Sequence, residues 1–132
     1  MEFQIATSDR EPIYRQLATQ VREAIARGRL NPGDKLPSVR ELSRTLVVNP
    51  NTIARAYTEL EREGVLNTLQ GKGVFVAAPA LDLTKSARKR RLIEQIDGLL
   101  TEAVHLGFSQ SELIMLIAER GKAYQWREES AR

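Results

Sequence analysis

Three short helical patterns followed directly by a β-hairpin pattern constrain the fold of this 132-residue chain more than any other feature. Two β-type segments, residues 65–69 and 74–76, flank the turn sequence Gln70-Gly71-Lys72-Gly73, whose glycines permit positive φ. A lone hairpin is marginally stable in water, so this one has to pack on the helices. The sequence therefore predicts a mainly α fold with one small β-hairpin.

The first helix is predicted over Pro12–Arg27. Apolar residues return every four positions along it and form one stripe, with two alanines beside them, which is typical of an amphipathic helix. Proline suits the first helical turn, because its missing N–H has no partner there in any case. The stripe consists of Ile13, Leu17, Val21 and Ile25.

Cap signals define the next two helices. Ser38 followed by Glu41 has the form of a capping box and opens a helix that ends near Leu46. Asn49 is then a cap and Pro50 a first helical position, so a third helix is expected to run to about Glu63. Both helices have a buried side, formed by Val39, Leu42 and Leu46 in the second and by Ile53, Tyr57 and Leu60 in the third.

Composition excludes several classes of protein. The absence of cysteine rules out disulfides and thiolate metal sites and fits a reducing, cytoplasmic compartment. No stretch is long and apolar enough to span a bilayer, and residues 1–10 lack the apolar core of a signal peptide. The formal net charge of +3 is shared by both halves of the chain, so it allows a polyanionic partner without identifying one.

Catalysis has no support in the sequence. No nucleophile–base set, phosphate-binding loop or zinc-protease motif occurs. His105 is the only histidine and has no cluster of ligands around it, so a metal site is not expected. We predict that the chain is not an enzyme and has no cofactor.

Three helices, the last two joined by a tight turn, and then a hairpin form the winged helix-turn-helix arrangement. The major groove of DNA admits one α-helix, whose N-terminal residues reach the base edges. Asn can pair with adenine, Arg with guanine, and the Thr methyl can touch thymine. The candidate DNA-binding residues are Arg40, Asn49, Asn51, Thr52 and Arg55, with Gln70, Gly71 and Lys72 at the tip of the hairpin, the wing.

Residues 12–76 resemble the DNA-binding domain of the GntR family of bacterial regulators. The matching text includes Pro12-Ile13-Tyr14-Arg15-Gln16-Leu17, the run from Gly33 to Leu42, the run from Asn51 to Glu61, and Gln70-Gly71-Lys72-Gly73-Val74-Phe75-Val76. The resemblance implies DNA contacts for Arg40, Asn51, Thr52, Arg55 and the Gly71 wing tip. Asn49-Pro50 and Ala54 depart from members that place Thr-Arg and a contacting Arg there, so an operator sequence cannot be transferred.

Residues 79–132 are predicted to form a two-helix tail after the DNA-binding domain of residues 1–78. The helices are expected over about Ser86–Leu106 and Ser109–Arg127. Gly107 and Phe108 predict a Schellman-type stop for the first, and a capping box opens the second. Their apolar faces are wider than one mutual contact needs, which predicts a homodimer. The short tail also resembles the YtrA-like branch of the family. The expected dimerisation residues are Leu92, Ile96, Leu99, Leu100, Ala103, Leu113, Leu116 and Ile117.

The predicted function is that of a bacterial transcriptional repressor that binds a near-palindromic operator on double-stranded DNA as a homodimer. Three alternatives remain open: a regulator whose tail helices hold a small-molecule effector, a non-specific architectural DNA-binding protein, and a protein–protein adaptor built on the same fold. The run Arg88-Lys89-Arg90-Arg91 is interpreted mainly as a solvated charged face, with phosphate contact as the alternative. No membrane partner is expected.

Overall fold

The chain divides into two units in the computed structural model, which describes residues 2–78 and 84–127. Of these, residues 2–78 with 126 and 127 form the N-terminal unit, and residues 84–125 form the tail unit. Pro79 and Ala80 of the predicted linker lie outside the described residues. The elements are α1 (Ile13–Ala26), α2 (Val39–Leu46), α3 (Pro50–Arg62), β1 (Leu66–Leu69), β2 (Gly73–Val76), α4 (Lys85–His105) and α5 (Gln110–Gly121).

The core of the N-terminal unit is centred on α3, which contacts α1, α2 and β1. Removing apolar side chains from water drives this packing, and the two alanines of the set let helices approach closely. Helices α1 and α3 supply eight of the twelve buried members of this core cluster, and Ile13 and Ile25 of the predicted α1 stripe are only partly buried against it. The predicted fold class is confirmed. The buried members are Tyr14, Leu17, Ala18, Val21, Leu36, Leu42, Ile53, Ala56, Tyr57, Leu60, Leu66 and Val76.

The hairpin is antiparallel, with Leu66 opposite Val76 and Leu69 opposite Gly73. A segment before α2 adds to it, because the N–H of Leu36 donates to the Val74 carbonyl at 2.8 Å and Lys35 forms a bridge with Phe75. This third, strand-like segment of the sheet was not predicted. It ties the hairpin to the start of α2, which gives the otherwise marginal two-stranded sheet a fixed attachment to the helices.

A buried polar residue, Gln16, anchors the segment before α1. Its amide oxygen accepts from the N–H of Ala6 at 2.9 Å, and its amide nitrogen donates to the carbonyls of Ala6 and Glu11, each at 2.9 Å. A buried amide has to be hydrogen-bonded, since an unpaired one costs about 1–3 kcal/mol. This role of Gln16 was not predicted, because the apolar stripe of α1 gives no information about polar contacts with the preceding segment.

The turn between α2 and α3 contains a strained residue. Val47 caps α2 in the left-handed region, at φ 54° and ψ 52°, with its side chain 89% exposed. A β-branched side chain is unfavourable in that region. The turn is held by the Ser43 hydroxyl, which donates to the Val48 carbonyl at 2.6 Å, and by the N–H of Val48, which donates to the Ser43 carbonyl at 3.1 Å.

The Val47→Gly substitution is therefore expected to stabilise the protein. Glycine removes about 1–2 kcal/mol of left-handed strain, but its flexible backbone costs about 0.5–1 kcal/mol, so the free energy of unfolding should rise by about 0.5–1 kcal/mol. Urea denaturation of the full chain measures this change. Val47→Ala keeps the Cβ and should gain less; a glycine variant that unfolds at lower urea than wild type would contradict the strain argument.

The helix ends of the tail unit are capped locally, at α4 by a residue that was not predicted and at α5 by one that was. The side-chain oxygen of Thr84 caps α4 by accepting from the N–H of Ala87 at 3.0 Å. After α4, Gly107 has φ 84°, and the N–H of Phe108 donates to the Ala103 carbonyl at 3.0 Å, which is the predicted Schellman-type end. Ser109 and Glu112 form the predicted capping box of α5. Local hydrogen-bonding rules thus define both helix ends at this turn.

The predicted end of the last helix at Arg127 is wrong, because α5 ends at Gly121. Beyond that glycine the N–H groups of Lys122, Ala123 and Tyr124 donate to carbonyls three residues back, so the backbone turns more tightly than an α-helix. Glycine is a poor helix former, so the α-helix ends there although the apolar pattern continues to suggest a helix.

Within the described ranges, 2–78 and 84–127, no helix is long and apolar enough to cross a membrane. Within the same ranges, no group of three or more His, Asp or Glu side chains could hold a metal ion.

Candidate nucleic-acid interface

The first turn of α3 presents polar side chains on a surface that the rest of the helix holds in place. Asn51 and Arg55 are exposed and Thr52 is half-buried. Arg55 follows Thr52 by three residues and Asn51 by four, so its side chain lies on the same side of the helix as theirs. The opposite side is anchored in the core by Ile53 and Leu60, both fully buried. The helix therefore has a fixed apolar side and an accessible polar side at its N-terminus.

Asn49 starts this helix through its side chain. Its amide oxygen accepts from the N–H of Asn51 at 2.8 Å, and Pro50 occupies the first helical position. The cap thus engages one lone pair of this oxygen, and the amide nitrogen of this exposed residue is a further group that can contact DNA. The structure gives Asn49 a helix-starting role beside the predicted DNA-binding one.

Tyr57 locks α3 to the entry of α2. Its hydroxyl donates to the Pro37 carbonyl at 2.7 Å, and its ring belongs to the core. Burial raises the pKa of Tyr57, since the phenolate would lose its hydration. The residue was predicted to be a core residue, and it is buried. Phe75 of β2 is half-buried.

Arg40 lies in the first turn of α2, behind the Ser38–Glu41 capping box. The N–H of Glu41 donates to the Ser38 hydroxyl at 3.0 Å, and the N–H of Ser38 donates to the Glu41 carboxylate at 3.0 Å. That backbone hydrogen bond lowers the pKa of Glu41. Arg40 is exposed and forms no ion pair among the described residues, so its guanidinium is not occupied by Glu59 or another carboxylate.

The wing tip is exposed from Gln70 to Lys72. Gly71 has φ 79° and Gly73 φ 124°, conformations that side chains with a Cβ rarely adopt. The Lys35 side chain packs on the wing at Gly73. A Cβ added to Gly73 would lie only 2.7 Å from the Lys35 Cε. Lys35 therefore adds a second cation to the wing beside Lys72. Lys35 was not among the predicted DNA-binding residues, because only the pairing of its segment with β2 places it at the wing.

Arg55 does not extend freely into solvent. Its guanidinium lies over the ring of Tyr14, with Cζ 3.8 Å from the ring centroid. Arg15 approaches the same tyrosine, with a guanidinium nitrogen 3.3 Å from the hydroxyl. Tyr14 belongs to the part of α1 that resembles the family, but it was not predicted to be a site residue. Its helical spacing from Leu17 and Val21 indicates the core, but nothing local indicates its contact with α3.

The predicted dimerisation residues of the tail fall into two groups. Most of them are between 42% and 60% exposed, and Ile93, Val104 and Met115 are exposed beside them. Ala103 and Leu113 are buried instead, each at 8% exposure. The exposed members are Leu92, Ile96, Leu99, Leu100, Leu116 and Ile117.

Comparison with known proteins identifies the family. The model of bacterial regulatory proteins of the gntR family matches residues 13–76. The HTH-type transcriptional repressor YtrA of Bacillus subtilis is 39% identical over 117 residues, which cover 89% of this chain and 90% of that protein. This similarity extends through the tail as well as through the hairpin.

Solved structures give the same assignment. A transcriptional antiterminator from Listeria monocytogenes superposes with a TM-score of 0.81 at 30% identity, covering 99% of this chain and 98% of that one. The AraR DNA-binding domain in complex with operator ORX1 superposes with a TM-score of 0.52 at 28% identity, covering 58% of this chain and 99% of that one. These proteins are transcription regulators and not enzymes. The chain is a bacterial transcription regulator of the gntR family, with YtrA-like features over most of its length.

Proposed function

We propose that this chain is a cytoplasmic repressor that binds a near-palindromic operator on double-stranded DNA as a homodimer. The observation that carries the proposal is the exposed first turn of α3, with Asn51 and Arg55 accessible, on a helix whose other side is fixed in the core. Inserted in a major groove, such a turn places an amide and a guanidinium against base edges.

The remaining candidate residues surround this turn with cations and amides. Arg40 at the start of α2 is suited to a phosphate or a guanine. Lys72 and Lys35 at the wing are suited to the DNA backbone, and the glycines of the tip allow a close approach. Phosphate contacts fix the position of the domain and make its affinity fall with salt, whereas α3 supplies most of the sequence discrimination.

The homodimer is supported by the tail. Helix α4 is 21 residues long, yet Ala103 is the only one of them that is buried. A spacing of four and three residues, typical of a coiled-coil seam, connects the apolar positions Leu92, Ile96, Leu99, Ala103 and Leu106. Exposed apolar surface of this extent is characteristic of an interface, and the matching partner for a helix with such a seam is a second copy of it. Two copies would form a helical assembly of four tail helices.

Repression is the mode of action we infer, because an operator occupied by a dimer blocks access of polymerase and because the YtrA relative is a repressor. Dimerisation would hold two α3 helices for half-sites about one turn of DNA apart, ~34 Å. A target that is nearly palindromic follows from the two-fold symmetry of such a dimer.

Selection of bound sites from random duplex DNA tests the proposal when it is combined with sedimentation of the full chain. We expect a dimer and an enriched near-palindrome with half-sites one helical turn apart. Binding that depends on salt but enriches no sequence would identify an architectural protein instead. Failure to bind any duplex at low salt would favour the protein–protein adaptor.

A further inference from the structure

The contact between Arg55 and Tyr14 joins the proposed reading helix to α1. The guanidinium lies over the ring at 3.8 Å from Cζ to the centroid, and Tyr14 as a residue is only 8% exposed. Helix α1 packs against α3 through the core, and Arg22 forms a further link with Glu63, with 2.8 Å between the charged groups. The ring is therefore a rigid platform for the Arg55 side chain.

Stacking engages the flat face of a guanidinium and leaves its N–H donors, which lie in the plane, available. Those in-plane donors are the ones that contact guanine or phosphate in a bidentate manner. Arg55 is one helical turn beyond Asn51, so the two residues share the side of α3 whose first turn is proposed to enter the groove. An unsupported arginine would have to lose its rotamer freedom on binding DNA, whereas a stacked one has lost much of it already.

The surroundings of the platform favour an anionic partner. Arg15 brings a second guanidinium, with Cζ 5.8 Å from the ring centroid. Among the described residues, neither Arg15 nor Arg55 pairs with a carboxylate. Two like charges on one ring repel each other, and a polyanion at this place would relieve that repulsion.

We propose that Tyr14 is a positioning residue for DNA recognition, whose ring fixes the plane of the Arg55 guanidinium so that its donor edge faces the operator. This inference rests on the proposed function, because it requires that Arg55 contact DNA. It assigns a role in specificity to a residue of α1, outside the helix-turn-helix segment and the wing.

Three variants of the full chain test the role of the ring. Tyr14→Phe keeps the ring and loses only the hydroxyl that Arg15 contacts, so its affinity for the selected operator should stay within about 2-fold of wild type. Tyr14→Leu and Tyr14→Met keep apolar volume but remove the π face, and we expect each to weaken operator binding by about 5- to 20-fold. Far-ultraviolet circular dichroism checks that each variant is folded.

A double-mutant cycle separates positioning from a general effect on the fold. In an Arg55→Ala background, Tyr14→Leu should weaken operator binding by less than about 2-fold, since the group that it positions is gone. An equal loss in both backgrounds, or no loss with Arg55 present, overturns the inference.

Nuclear magnetic resonance of the free protein gives a readout that needs no DNA. The Arg55 side-chain protons should be shifted upfield by the ring current in wild type and in Tyr14→Phe, and this shift should disappear in Tyr14→Leu. If this shift is absent from the wild-type protein, the platform is overturned even if a variant misfolds.

Failure of the proposed function and failure of the positioning inference give different results. If the proposed function is wrong, the wild-type protein selects no operator. If only the positioning inference is wrong, wild type and Tyr14→Leu bind the selected operator equally well.

Discussion

Replacing Ile96 with glutamate is expected to convert the proposed dimer into a monomer and to weaken operator binding by about 100-fold or more. Ile96 is 42% exposed and belongs to the apolar seam of α4. A carboxylate buried in a dimer interface without a partner is strongly unfavourable, so the two chains should separate. Each monomer would then bind a single half-site, without the high effective concentration that a linked second domain provides.

The control for this prediction is Gln95→Glu, which places the same charge on the same helix at an exposed polar position outside the seam. It should remain dimeric and bind the operator as wild type does. Sedimentation velocity measures the oligomeric state, and titration of the selected operator measures the affinity. If the Ile96→Glu variant is still a dimer, the interface does not include this face of α4. If the wild-type protein is a monomer and still binds the whole operator, no dimer interface is needed.

Replacing Arg55 with alanine should weaken specific binding by about 1–3 kcal/mol, which is the typical cost of losing a bidentate contact to a base, and should leave the fold intact. The residue is exposed on α3 and contributes to no part of the buried cluster. Its loss also uncovers one face of Tyr14, which is a minor change for the stability of the core. Titration of operator and of random duplexes distinguishes a base contact from a phosphate contact.

Arg62→Ala is the matched control, because it removes the same charge from an exposed position in the last turn of α3. If Arg55 reads a base, its loss should weaken operator binding much more than random-duplex binding, whereas a phosphate contact would weaken both alike and lower the salt slope by about one. An unchanged footprint for Arg55→Ala would show that the assigned role is wrong.

Features that depend on local chemistry could be predicted from the sequence. The two capping boxes, the Asn49-Pro50 start of α3 and the Gly107 end of α4 each involve residues within a few positions of one another. Such signals satisfy backbone groups that the helix itself leaves unpaired, so they define a boundary in any tertiary context. The predicted helix starts therefore fall within a residue of the observed ones.

Features that depend on contacts distant in sequence could not be predicted. Lys35 reaches the wing only because its segment pairs with β2, and Arg55 meets Tyr14 only because α1 packs on α3. No periodicity or cap motif encodes either contact. The left-handed Val47 was missed for a related reason, since the turn conformation is imposed by the two helices that it joins and opposes the preference of valine.

Entry of α3 into the DNA is tested most directly by amide chemical-shift mapping of the isotopically labelled full chain with its selected operator. The largest changes are expected at residues 51–55, with a second set at the wing tip, residues 70–72. Amides of residues 51–55 that stay unchanged while the operator is fully bound would contradict the proposed entry of α3.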